Sequence, residues 1–213
     1  MRCDKKDLLL YGVTDRSWLG DRTLAQQVEA SLRGGATMIQ LREKHMDRGS
    51  ILAQALELLE LCGRYGVPLI LNDDAELAQA AGADGVHVGQ SDMEAGRVRA
   101  LLGEDKLIGV SARTVEQALA AQAAGADYLG VGAMFPTGTK QDTRPVSYDT
   151  LKAICAAVDI PVVAIGGIGA GNVAELAGSG IAGVAVVSAL YAQPDVEAAT
   201  RSLRAQVERV VGP

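Results

Sequence analysis

AGADGVHVG (81–89) and AGADYLGVG (124–132) are near copies of one device, and their repetition decides the fold. Each starts at the end of a run with helical period, breaks at a glycine (Gly82, Gly125) and passes into an apolar run. A glycine just past a helix end accepts a left-handed backbone without steric cost, so the phrase reads as helix, stop, strand. Gly34 and Gly178 stand at the same place in looser copies. Working outward, short β-branched runs recur as LLLYGVT (8–14), TMIQLRE (37–43), PLILND (68–73), GVHVG (85–89), LIGVSA (107–112), YLGVGA (128–133), VVAIGG (162–167) and GVAVVS (183–188). Between them lie segments of helical period such as LAQQVEASL (24–32) and VEQALAAQAA (115–124). Strands alternating with helices imply parallel βα units, and near-continuous apolar strands imply burial on both faces. Eight units of about 27 residues each predict an α/β chain folded as a compact (β/α)8 TIM barrel, one catalytic domain over 1–213. The competing fold, an open doubly wound sheet, calls for fewer strands and a topological switch point.

Composition narrows the function. With 26 acidic against 20 basic residues the net charge is −6, which does not suit binding to a nucleic-acid backbone. Cys3, Cys62 and Cys155 are far apart and form no CxxC pair, so neither a disulfide framework nor a zinc site is expected. The N-terminal MRCDKKD carries no apolar signal region, and no stretch of about 18 apolar residues suggests a membrane span. A reducing cytoplasm fits these features, and a local basic pocket for a small anion remains open. Assembly into a homo-oligomer is left open.

Barrels of this kind carry their chemistry at the C-terminal strand ends, and polar residues gather there. The second run ends in Gln40, Arg42, Glu43 and Lys44, the third in Asn72 and Asp73. The fourth leads to Gln90 and Asp92, the fifth to Ser111 and Arg113, the sixth to Thr137, Gly138, Thr139 and Lys140. The seventh ends in Gly166 and Gly167 and the eighth in Ser188. Basic Arg42, Lys44 and Lys140 with acidic Asp73 and Asp92 suit a diphosphate held partly through Mg2+, which commonly takes one or two carboxylates and shares phosphate oxygens.

Each residue also has a plainer role. Asp73 or Asp74 could cap the helix starting in DAELAQ, with Glu76 three residues beyond Asp73. Ser91 with Glu94 reads as a capping box, leaving Asp92 in a first helical turn. Thr114 with Gln117 reads as the next cap. His87, within an apolar strand, reads as a satisfied core histidine, and His45 as a loop residue. IGGIGAGN (165–172) precedes an expected helix, and its glycines would let backbone N–H groups approach a phosphate. The stretch 134–146 is the longest gap between elements and reads as a candidate lid.

Taken together, QLREK (40–44), ND (72–73), GQSD (89–92), VSA (110–112), PTGTK (136–140), IGGI (165–168) and VVSA (186–189) resemble, in order, the motif set of thiamine phosphate synthases. The resemblance implies a Mg2+-dependent transferase. It would join a pyrimidine diphosphate to a thiazole phosphate after dissociative loss of diphosphate from the pyrimidine methylene. It implies that Gln40, Leu41, Arg42, Glu43, Lys44, Asn72, Ser111 and Lys140 contact the pyrimidine diphosphate, with Arg42, Lys44, Ser111 and Lys140 carrying the chemistry. Asp73 and Asp92 would hold Mg2+, and Thr137, Gly138, Thr139, Gly167, Val187 and Ser188 the thiazole phosphate. Arg113 departs from the family, which often has histidine there. Two other readings are a thiazole tautomerase relative, which typically loses the metal-binding acids, and a noncatalytic phosphate-ligand binder.

Overall fold

The computed structural model describes residues 3–138 and 145–212. Eight parallel strands close into a barrel in chain order: β1 (Leu10–Val13), β2 (Met38–Leu41), β3 (Leu69–Asn72), β4 (Gly85–Val88), β5 (Leu107–Ala112), β6 (Tyr128–Val131), β7 (Val162–Ile165) and β8 (Gly183–Val186). Closure is made where Tyr11 of β1 pairs with Ala185 of β8. The helices α1 (Leu24–Arg33), α2 (Arg48–Tyr65), α3 (Ala75–Ala81), α4 (Ala95–Leu102), α5 (Val115–Ala123), α6 (Tyr148–Ala157), α7 (Ser188–Tyr191) and α8 (Val196–Val211) pack outside. No helix among the described residues is long and apolar enough to cross a membrane.

Side chains alternate between two cores because successive Cβ atoms of a strand point to opposite faces. In β2, Ile39 and Leu41 join the core between barrel and helices, whereas Met38 points into the barrel with Tyr11, Ile70, Tyr128 and Val163. Beyond these, towards the strand C-termini, the inner wall turns to glycine. A Cβ on Gly109 would stand 2.1 Å from Tyr128 Cζ, and one on Gly130 would stand 3.0 Å from His87 Cε1. Absent side chains here make room for two inward rings and leave a hollow above them.

The repeated AGAD phrase does more than stop helices. Gly82 (φ +70°) and Gly125 (φ +91°) take the expected left-handed backbone. The aspartate after each reaches a neighbouring strand: Asp84 accepts the Leu69 N–H at 2.9 Å and Asp127 the Ile108 N–H at 2.8 Å. These carboxylates tie the strand starts at the barrel's closed end, and Asp127 is further paired with Arg99 at 2.6 Å. Gly34 departs from expectation. Its φ is −73°, and the left-handed residue is Gly35 (φ +97°). Gly34 is small for another reason: a Cβ there would lie 2.5 Å from Thr200 Cβ, where α1 meets α8.

Candidate active site

The capping alternatives resolve in favour of free carboxylates. Asp74 caps α3, accepting the Leu77 N–H at 2.8 Å, so Asp73 has no capping duty. The expected Ser91–Glu94 capping box does not form. The helix starts later, and Glu94 itself is the cap, accepting the Gly96 and Arg97 N–H groups. Asp92 therefore sits in the turn before α4, where its Oδ2 accepts the Gly89 N–H at 2.7 Å. Asp73 is the only non-glycine residue with positive φ (+65°) among the described residues. Asp74 N–H closes a tight turn onto the Asn72 carbonyl at 2.8 Å, while Asp73 N–H donates to the His87 carbonyl at 2.8 Å. Left-handed backbone at a non-glycine residue is strained, and such strain gathers where a side chain must be aimed. Here it directs one carboxylate toward another from the neighbouring strand.

The charges around this pair are strongly linked. Burial acts to raise the Asp73 carboxyl. The Lys44 ammonium, 2.8 Å from Oδ2, together with hydrogen bonds to the Asp92 and Asn72 side chains, outweighs it and holds Asp73 below the usual carboxylate range. Asp92 is pushed up by burial and by the facing Asp73 charge, against the pull of the Gly89 N–H. Two adjoining carboxylates at odds with one another are what a divalent cation relieves. No cluster of three or more potential metal ligands occurs among the described residues. The pair thus fits an oxygen-seeking ion that completes its shell from a ligand and water, as Mg2+ does.

Two connected cavities open at the same mouth; neither Asp73 nor Asp92 lines them, and the pair is joined to them through Lys44, in the wall of the outer one, and Asn72, in the wall of the inner one. The inner one, about 150 Å³, lies in the hollow above the barrel core and is lined by Gln40, Asn72, Ser111, Arg113 and Val187 among others. The outer one, about 1040 Å³, includes Glu43, Lys44, His45, Gly138 and Gly169 in its wall. Arg42, Thr137, Gly167, Ile168 and Ser188 line both. Arg42 is positioned from below, its N–H donating to Thr14 Oγ1 at 3.0 Å. Its guanidinium makes no ion pair among the described residues and stands where the cavities meet. Lys44 lines the outer cavity and touches Asp73, joining the cation and carboxylate sets.

Several expectations need correction. Leu41 faces the helices, not the mouth, because it alternates with inward Gln40 and Arg42, so its side chain makes no wall of either cavity. Glu43 does line the outer cavity, but its side chain is 5% exposed and bound to Arg16 at 2.6 Å. The glycine run after β7 leads into no α-helix, only a four-residue 3-10 turn, Val173–Leu176. Asn172 braces that run instead: its Oδ1 accepts the Gly169 N–H and its Nδ2 donates to the Gly167 carbonyl, both at 2.9 Å. Gly167 has φ +67°, and a Cβ on it would meet the Pro136 carbonyl oxygen at 2.5 Å. Its smallness thus admits the loop after β6 as well as leaving its backbone at the cavities. That loop is anchored at its base, with Met134 and Phe135 N–H groups donating to Ile165 and Gly166 and Val146 N–H to Ala133. Thr139 and Lys140, with the rest of 139–144, lie outside the described residues. The start of α7 at Val187 and Ser188 carries no side-chain cap and borders the cavities.

Sequence reasoning missed the first strand. Asp15, Arg16, Ser17 and Trp18, after β1, wall the outer cavity. The polar run TDRSW (14–18), placed like the other strand-end loops, was the signal. Asn172 carries no signal beyond its place in the glycine run, and Tyr11 and Tyr128 none beyond their place in apolar strand runs.

A closed parallel barrel with cations, paired carboxylates and a glycine-bound cleft at its C-terminal mouth defines a barrel enzyme for small phosphorylated molecules. The family model described as thiamine monophosphate synthase matches residues 10–190. A thiamine-phosphate synthase of Ruminiclostridium cellulolyticum is 48% identical over 199 residues, 93% of this chain and 95% of that one. Another, of Chloroflexus aurantiacus, is 50% identical over 202 residues, covering 94% and 93%. The solved thiamine phosphate pyrophosphorylase of Pyrococcus furiosus superposes with a TM-score of 0.90 at 38% identity, covering 98% of this chain and 99% of that one. The chain belongs to the thiamine monophosphate synthase family.

Proposed function

We propose that the chain, acting as one catalytic domain, condenses 4-amino-2-methyl-5-hydroxymethylpyrimidine diphosphate with thiazole phosphate to give thiamine phosphate and diphosphate. The observation that carries this reading is the aimed carboxylate pair, Asp73 and Asp92, with Asp73 bound to Lys44 at a mouth whose two joined cavities are walled by Arg42 and Lys44. A tautomerase relative lacking the metal-binding acids would not keep a strained backbone at Asp73. A simple phosphate binder would not need the pair.

The inner cavity takes the pyrimidine, with Gln40, Asn72 and Ser111 toward its ring. Arg42 and Lys44 hold the diphosphate, and Lys140 joins them by family resemblance. Asp73 and Asp92 would hold Mg2+, which neutralises charge on the diphosphate when bound. Arg42 and Lys44 stabilise the departing diphosphate as the C–O bond to the pyrimidine methylene breaks. The thiazole nitrogen then attacks the methylene carbocation and forms the C–N bond. The bond-forming nitrogen carries no proton, so this step calls for no general base. Thr137, Gly138, Gly167, Val187 and Ser188 hold the thiazole phosphate through backbone groups and hydroxyls, and Thr139 does so by resemblance. Glu43 holds Arg16 and Leu41 contributes backbone only. The working compartment proposed is the cytoplasm.

The direct test is product analysis with both substrates, with and without Mg2+. Thiamine phosphate should form only with both substrates and the metal. Its absence under all conditions would defeat the assignment.

A further inference from the structure

A run of five hydrogen-bonded groups crosses the barrel at the floor of the inner cavity. Gln40 Nε2 donates to Tyr11 Oη at 2.6 Å, and the Tyr11 and Tyr128 hydroxyls meet at 2.9 Å. Tyr128 Oη lies 3.2 Å from His87 Nδ1, and His87 Nε2 lies 3.0 Å from Ser111 Oγ. Both ends of the run, Gln40 and Ser111, line the cavity. Its middle is clamped. Tyr11 and Tyr128 pack edge to face with centroids 6.0 Å apart, and a Cβ on Gly109 would fall 2.4 Å from His87 Nδ1. Burial pushes the ionisation of both phenols far up, so each stays a neutral hydroxyl with one proton to give.

With Gln40 Nε2 as the donor to Tyr11, proton counting gives the run a direction. Tyr11 accepts from Gln40 and passes its own proton to Tyr128. Tyr128 then donates to His87 Nδ1, which must be bare, so the imidazole proton sits on Nε2 and points to Ser111 Oγ. The Ser111 hydroxyl proton is left for the cavity as a donor, and Gln40 Oε1 as an acceptor. The reverse order would turn the Gln40 amide over, shift the imidazole proton to Nδ1 and exchange both presentations. We propose that Tyr11 and Tyr128 are positioning residues that fix this polarity, so that Gln40 and Ser111 meet the ring of the pyrimidine substrate as acceptor and donor. The polarity is a property of the free protein; its use on the pyrimidine rests on the function proposed above.

The chain has two histidines, His45 and His87, so 15N-histidine labelling with His45→Gln for assignment isolates His87. His87 should show one tautomer, protonated at Nε2. Tyr128→Phe removes a hydrogen-bond partner of His87, whereas the Tyr11 hydroxyl bonds to Gln40 and Tyr128. A linked run requires both variants to relax His87 into a mixture of tautomers. Both should also weaken kcat/KM for the pyrimidine diphosphate on the order of 10-fold, with KM for thiazole phosphate unchanged. A wild-type His87 spectrum in folded Tyr11→Phe would overturn the linkage, and relaxed tautomers with unaltered kinetics would overturn the positioning role. If Tyr128→Phe fails to fold, Tyr11→Phe decides alone. A wild type that forms no thiamine phosphate would defeat the proposed activity, and the Tyr11→Phe spectrum would still decide the polarity.

Discussion

The two halves of the barrel mouth hold charge by different means. From β2 to β4 the mouth carries charged side chains, with Arg42 and Lys44 in the cavity walls and Asp73 and Asp92 at the strand ends next to them. From β6 to β8 it is built of backbone, with Gly167, Gly169 and the uncapped start of α7 at the surface. Side chains can gather around a metal and a multiply charged group, and those of Lys44 and Asp73, 45% and 35% exposed, are screened by solvent. Backbone N–H groups are fewer and weaker, but they are fixed in place and suit a single phosphate. On the function proposed above, the difference would let one pocket receive two anions without confusing them, one half answering to amount of charge and the other to shape.

The strongest way to break this division is Asp92→Asn. An asparagine oxygen can still accept the Gly89 N–H, so the turn should survive with stability changed by about 0.5 kcal/mol or less. Turnover should fall by ~100-fold or more, since metal charge stabilisation is worth several kcal/mol. Excess Mg2+ should recover part of it. Wild-type turnover in this variant would remove the metal from the charged half.

Lys44→Met tests the same half through its ion pair. Without the ammonium, burial acts on Asp73 against only its hydrogen bonds to the Asp92 and Asn72 side chains, and its carboxyl pKa must rise. Activity that needs the ionised pair is present above that pKa and lost as pH falls through it. The acid limb of the pH–rate profile should therefore move to higher pH, and turnover at neutral pH should drop ~20-fold. An acid limb that stays put would show that Lys44 does not govern Asp73.

On the backbone half, Gly167→Ala places a Cβ against the Pro136 carbonyl oxygen at a left-handed residue. KM for thiazole phosphate should rise about 10-fold, equivalent to about 1.4 kcal/mol, while affinity for the pyrimidine diphosphate changes far less. Equal weakening of both substrates would mean that the mouth is wrongly divided. Asn172→Ala, which frees the glycine run without touching ligand space, should give the smallest effect, ~3-fold on the same KM, with about 1 kcal/mol of stability lost per hydrogen bond. A shift in the pyrimidine KM instead would place Asn172 on the other side of the division.

How much of this was legible depends on the range of the force involved. Short apolar runs and helix-stop glycines are local: the burial of a strand on both faces and the steric freedom of glycine are written within a few residues. The sequence by itself therefore determined eight βα units, the barrel, and the ring of Arg42, Lys44, Asp73, Asp92 and Ser111 at one end. The same locality misled at Ser91 and Glu94, where a valid capping pattern lost to a turn that holds Asp92, and at the glycine run, where no helix followed. Only the tertiary structure decided which residues meet. Tyr11 and Tyr128 are 117 positions apart and touch because the barrel closes. Closure likewise brings Asp15–Trp18 beside Gly167 at the outer cavity. No spacing rule encodes such meetings, since the entropy of bringing distant segments together is repaid only by the core they share.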